Sequence, residues 1–86
     1  MIKGAWSATD ADSTLLAADG TRIEIALQHW GGDEVYLGFG EVATAEEGLL
    51  ISSHAPYIQI TGAKAKLALH LTCKSGEVAN GGYQTA

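Results

Sequence analysis

Residues 22–40 read RIEIALQHWGGDEVYLGFG, and the parsing of this stretch decides the fold. Ile23, Ile25 and Leu27 alternate with Arg22, Glu24, Ala26 and Gln28, the period of two of a strand with one buried face. Trp30, Gly31, Gly32 and Asp33 interrupt the pattern, and Val35, Leu37 and Phe39 resume it. The expectation is a β-hairpin whose inward residues Ile23, Ile25, Leu27, Val35, Leu37 and Phe39 form half of the core.

Working outward, Asp19-Gly20 is a strong turn signal that delivers the chain into the first of these strands. Before it, Thr9-Asp10-Ala11-Asp12-Ser13 has loop chemistry, with Trp6 as an anchor ahead of it. Residues 13–18, STLLAA, are too few for a stable isolated helix and read as extended. After Phe39, residues 41–48 form a loop with at most one helical turn, Thr44 and Glu47 having capping-box spacing. LLISS over 49–53 is an apolar strand that Pro56 ends, because proline brings no N–H to a ladder. YIQIT over 57–61 alternates again, with Ile58 and Ile60 inward. KAKLALHLTCK over 64–74 predicts one long strand, with Ala65, Leu67, Leu69, Leu71 and Cys73 inward and Ala68, His70 and Thr72 outward. The tail could add a short strand around Val78, while Asn80-Gly81-Gly82 makes it flexible or dependent on a neighbour for order.

Six or seven short strands separated by Gly, Asp or Pro signals predict an all-β fold, a single small antiparallel β-sandwich or barrel. Residues 1–86 are expected to be one domain, with 1–12 and 77–86 flexible or ordered by a partner. Cys73 is the only cysteine, so no intrachain disulfide forms, and its inward position predicts an unreactive thiol. With no disulfide and no Cys and His cluster, oligomerisation is the staple left to so small a domain. Charged residues make up 17% of the chain, below the roughly quarter to third usual for a small domain's surface. Either surface is buried against copies or a partner, or Ser, Thr, Gly and Gln cover it.

The formal charge of −5 argues against nucleic acid as a ligand. Lys64, Lys66 and Lys74 make only a weak basic patch. The apolar runs are far too short to span a bilayer, and the first residues lack the apolar region of a secretory signal. The lone thiol and absent signal suggest synthesis in a reducing cytoplasm.

Several residue patterns touch on chemistry without completing it. Asp10 and Asp12 have the spacing of the first two ligands of a calcium loop, but the remaining oxygen ligands are not supplied. Gly38-Phe39-Gly40-Glu41-Val42-Ala43 fits GxGxxA, yet the next strand follows too soon for a βαβ crossover, so Gly38 and Gly40 read as close-packing points. His29 is expected inward, His54 in a turn and His70 on an outer face, which predicts no shared metal. His70 could meet its copies around a symmetry axis. No nucleophile elbow is present, and Glu46-Glu47 are neighbours in a loop. No enzyme and no cofactor is expected. Trp30 and Tyr57 read first as half-buried strand-end residues and second as a stacking surface for a sugar or a partner.

The segment LLAADGTRIEIALQHWGGDEVYLGFGEVATAEEGLLISS, from Leu15 to Ser53, resembles small phage-encoded virion proteins of β-sandwich type. A Leu-rich lead-in, an Arg-containing strand, a VYVGFG-like strand, an AT-containing loop and a Gly-Leu-Leu-like strand carry the resemblance. The chain departs from the pattern at Ser52-Ser53-His54-Ala55-Pro56, where a Pro-Gly turn is usual, and at His29-Trp30, where Asn-Thr is usual. The resemblance implies a structural component of a virus particle, such as a head-decoration or tail-associated module, and a symmetric oligomer. It implies no catalytic residues. The resulting expectation is a non-enzymatic homo-oligomer in the virion or the host cytoplasm, with a capsid or tail protein as partner. Its expected interaction surface includes Trp30, Tyr57, Ala68, His70 and Thr72. The alternative is a small-ligand, carbohydrate or metal-binding module of cupin-like type that uses Trp30, Tyr57 and the histidines.

Overall fold

In the computed structural model, which describes residues 2–86, the alternating segments form β1 (Ile2–Ala8), β2 (Ser13–Leu16), β3 (Glu24–Gly32) and β4 (Val35–Phe39) in the first half of the chain. The second half adds β5 (Leu50–Ile51), β6 (Tyr57–Thr61), a 3-10 helix (Gly62–Lys66), β7 (Leu69–Thr72) and β8 (Ala79–Thr85). Two four-stranded antiparallel sheets result, in the orders β1-β8-β3-β6 and β2-β7-β4-β5. The chain is therefore all-β and sandwich-like, as its periodicity predicts, with eight strands in place of six or seven.

The inner faces meet through Ile25 and Leu27 from one sheet and Val35, Leu37, Ile51, Leu69 and Leu71 from the other, all but fully buried. Ala65 and Cys73 complete this cluster as the alternation predicts. Burying large aliphatic side chains in this way contributes about 1.5–3 kcal/mol each, and it is the main term holding the sheets together.

The stretch 22–40 is not a hairpin. β3 pairs with β6 and β8, whereas β4 lies in the other sheet between β5 and β7. Alternation specifies which residues face inward, and a short Gly-containing link suits either a hairpin or a corner between two sheets. Here the corner wins because Gly32, at φ +93°, passes so close to β8 that a Cβ would stand 2.6 Å from Ala79 Cα and collide with the Val78 carbonyl. Asp33 fixes the corner, its N–H donating to Val78 O at 2.8 Å and its carboxylate accepting from Val78 N at 3.2 Å.

The single strand expected over 64–74 is also corrected: its first part is the 3-10 helix, and only Leu69–Thr72 is strand. Leu67, expected inward, is 40% exposed. Ile23 is likewise turned out, while Arg22, expected on the solvent side, is buried. One interaction accounts for all three departures. The Arg22 guanidinium donates to the carbonyls of Ala65 at 2.5 Å, Leu67 at 2.8 Å and Ala17 at 3.1 Å. A strand commits its carbonyls to the ladder, whereas a short turn leaves carbonyls free for such a donor. Around this clamp Lys66 Nζ donates to Arg22 O at 3.0 Å, and Asp19 N donates to Lys66 O at 2.9 Å. The Asp19 carboxylate accepts from the Thr21 hydroxyl and Thr21 N, and these bonds hold its pKa below the usual carboxylate value.

Residues 2–8 and 79–85 are β1 and β8, and the neighbours that order β8 are the chain's own β1 and β3. Val78 lies just outside that strand and is exposed. Trp6 reaches inward from β1 onto Gly81, where an added Cβ would stand 2.5 Å from Cζ2, and its Nε1 donates to Gly82 O at 3.1 Å.

Two substitutions test these contacts in urea titrations. Arg22→Ala leaves buried carbonyls without a donor and is expected to cost about 3 kcal/mol, while Arg22→Lys, which cannot reach three separate carbonyls, falls between it and the parent. Gly81→Ala forces apart Trp6 and the Gln28 carbonyl and is expected to cost at least about 2 kcal/mol. Unchanged midpoints would remove both from the account of the fold.

Candidate functional site

Parity along β3 puts Ile25, Leu27 and His29 inside and Ala26, Gln28 and Trp30 outside. Pairing extends this outer face to Tyr57, opposite Gln28 on β6, and to Gly82 and Gln84, opposite Gln28 and Ala26 on β8. Between His29 and Gly31 the β3–β8 register shifts, so Trp30 is the extra residue of a β-bulge, a device that re-aims a side chain. The indole is aimed over Gly82, where an added Cβ would stand 3.0 Å from Cε2 and from Cη2 and would collide with Cζ2. Trp30 Nε1 donates to Gln28 Oε1 at 3.3 Å. Held this way, Trp30 is 60% exposed and Tyr57 54% exposed. With Lys3, Gln28, Gln84 and Gly82 they line a groove of about 360 Å³. The half-buried strand-end reading of the two aromatics is thus replaced by an open aromatic surface.

The other three residues of the expected surface lie at the opposite sheet, His70 and Thr72 within β7 and Ala68 just before it. Ala68 and His70 are partly buried, and Thr72 is buried, its hydroxyl donating to Cys73 O at 3.3 Å. The sequence-predicted patch is therefore two separate regions, and Thr72 is not part of any surface. Part of the cause is local, since the loop after β4 lies back over the outer side of its own strand. A Cβ at Gly38 would stand 2.6 Å from Glu41 O and 3.0 Å from Ala43 Cα. Asp12 pins that loop, accepting from Ala43 N at 2.7 Å and from His70 Nδ1 at 3.2 Å. Thr14 Oγ1 lies 3.5 Å from the same His70 nitrogen. Because Asp12 and Thr14 meet one and the same ring nitrogen, the imidazole cannot relay a proton between them as a hydrolase triad requires.

Beside the loop, Leu49, Leu67, Phe39, Gly48 and Lys64 line a second groove of about 400 Å³. Leu49 and Leu67 are 43% and 40% exposed, and Val42 and Leu50 add to the exposed apolar surface of this region. Lys64 Nζ sits 5.4 Å from the centre of the Phe39 ring, within cation–π range.

The three histidines occupy different regions. His29 is buried against Trp6 at a centroid distance of 6.2 Å, and its Nε2 donates to Asp33 O at 2.7 Å. His54 is exposed in the turn before β6, and His70 is on the outer side of β7. No group of three His, Cys, Asp or Glu side chains capable of holding a metal ion occurs among the described residues. Burial pushes the Cys73 thiol above its ordinary value, with Glu77, Asp33 and Asp10 adding to the shift. Lys74 is likewise raised, by Tyr36 and Glu46 first and Glu34 last, on an open surface. No helix among the described residues is long and apolar enough to cross a membrane.

The chain matches no protein-family model, no curated protein and no solved structure.

Sequence reasoning singles out both aromatics of the first groove but misses Gln28, Gln84, Lys3 and Gly82. Gln28 shares parity with Trp30 and was legible; the residues from β1 and β8 depend on pairing between the chain's two ends. The second groove is missed because alternation places Leu67 inside.

Two outcomes follow for the groups described. Cys73 should resist a thiol-specific disulfide reagent at mildly alkaline pH and react only on unfolding, since its raised pKa keeps it protonated and its burial bars access; rapid labelling of the folded chain would contradict this. Asp12→Ala should abolish hydrogen-exchange protection at the Ala43 amide while leaving the β3 amides protected.

Proposed function

We propose that the chain is a non-enzymatic structural protein that assembles as a homo-oligomer and serves as a component of a virus particle, held there by contact with a capsid or tail protein. The observation that carries the assembly is the groove of the β2-β7-β4-β5 sheet in which the exposed side chains Leu49 and Leu67 meet beside Phe39, with Val42 and Leu50 exposed on the neighbouring segments. Large exposed apolar patches on small proteins mark contact surfaces. β5 adds a free edge only two residues long, which leaves contact to side chains more than to ladder extension. The resemblance of residues 15–53 to small phage virion proteins supports the setting in a virion. The low share of charged residues, 17%, fits surface that is covered in the assembled state.

Sedimentation velocity over a wide concentration range tests the assembly. The parent chain is expected to associate, and the double variant Leu49→Asp, Leu67→Asp is expected to shift the midpoint of association at least about tenfold, since each 1.4 kcal/mol is a factor of ten. A chain that stays monomeric throughout, or a double variant that associates like the parent, overturns the reading.

A second reading, a ligand-binding module, is favoured by one specific observation, the aromatic groove on the opposite sheet.

A further inference from the structure

The outer face of the β1-β8-β3-β6 sheet takes no part in the assembly proposed above, and its groove is built in a way that packing does not require. A tryptophan carried by a β-bulge is laid over a glycine of the neighbouring strand and left 60% exposed. Its ring edge is held by a hydrogen bond to Gln28, its inner side is against Gly82, and its outer side is open. Leaving so large an apolar ring in water forgoes burial that would otherwise stabilise the fold.

We propose that this groove binds a neutral carbohydrate, a flat-faced hexopyranosyl oligosaccharide, with one sugar ring stacked on Trp30 and the next reaching Tyr57. This names the ligand class for the second reading above and is independent of the oligomer. Three features favour a sugar over other ligands that stack on aromatics. The charge is wrong for a nucleic acid base, since the chain carries −5 overall and Lys3 is the only basic residue lining the groove. A proline-rich peptide presents carbonyl acceptors but no N–H at its prolines, so the amide oxygen of Gln84 would gain no partner from it. Sugar hydroxyls both donate and accept, and the amides of Gln28 and Gln84 offer both, with the Gln28 NH2 left free when its oxygen takes the indole N–H. The volume, about 360 Å³, lies in the lower part of the small-ligand range of roughly 300–1,000 Å³.

Tryptophan fluorescence of the full chain tests this, because Trp30 is exposed whereas Trp6 is 4% exposed. The probes are cellohexaose, mannohexaose and decaproline at millimolar concentration, with acrylamide as a collisional quencher. At least one hexasaccharide is expected to blue-shift the emission and protect it from acrylamide. Trp30→Ala should abolish the shift, and affinity measured by calorimetry should fall at least about tenfold in both Trp30→Ala and Tyr57→Ala. Circular dichroism and an unchanged urea midpoint confirm that the variants fold. No response to either sugar, or a calorimetric affinity in both variants that equals the parent's, overturns the proposal. A response to decaproline alone overturns the sugar while leaving a ligand-binding groove, whereas an indole already shielded from acrylamide in the free protein overturns the groove as a ligand site altogether.

Discussion

Two adjacent glycines in the middle of a sheet hold the molecule's two tryptophans, one on each face. Gly81 points inward and accepts the ring of Trp6; Gly82 points outward and accepts the ring of Trp30. Side chains of consecutive strand residues alternate between faces, so a Gly-Gly pair makes a thin place in the sheet on both sides at the same level. The Trp6 indole fills the inner hollow and donates to the Gly82 carbonyl, which helps fix β1 against β8. The Trp30 indole fills the outer hollow and becomes the floor of the groove. Core and candidate site therefore share one piece of backbone, and a change at either glycine is felt by both.

The other end of the sandwich is closed by a charge instead of a ring. Burying a guanidinium without hydrogen-bond partners is costly, and the turn around Ala65 and Leu67 supplies oxygens that no ladder claims. The hydrogen-bond acceptors of this clamp are backbone carbonyls, and the Asp19 carboxylate acts on the guanidinium only as a minor charge contribution. The clamp depends on geometry more than on ion pairing, and its effect on stability should be little changed by salt.

The periodic parts of this fold were legible in the sequence, and its long-range parts were not. Ile25, Leu27, Val35, Leu37, Leu69, Leu71 and Cys73 are inside, as alternation predicts, because parity is a local property. That β3 and β4 belong to different sheets depends on the close passage of Gly32 past Ala79, a contact between residues far apart in the chain. The exposure of Leu67 depends on Arg22, whose guanidinium competes for the carbonyls that a strand would use. Asn80-Gly81-Gly82 has the composition of a loop and so reads as flexible or dependent on a neighbour, yet its glycines are what the neighbouring tryptophans require. At the site, the aromatics could be named from the sequence, Tyr57 by the parity of its strand and Trp30 as an aromatic at the break in the alternation. Their partners on β1 and β8 could not, since these come from opposite ends of the chain and meet only through pairing.

The placement of the two grooves also bears on how they could act together. The apolar surface around Leu49 and Leu67 and the aromatic groove around Trp30 lie on opposite sheets, so association through the first leaves the second open in every copy. Shallow aromatic sites bind weakly one at a time, and binding is strengthened when several are linked at spacings that let them engage together. An assembly held at the β5 side would display its aromatic faces outward in a fixed array, with no new contact needed at any single site. A small domain whose single cysteine forms no intrachain disulfide would also gain stability from such an association. One set of contacts would then both support the fold and raise the avidity of the exposed face, which gives a physical reason for so small a chain to leave this much apolar surface uncovered.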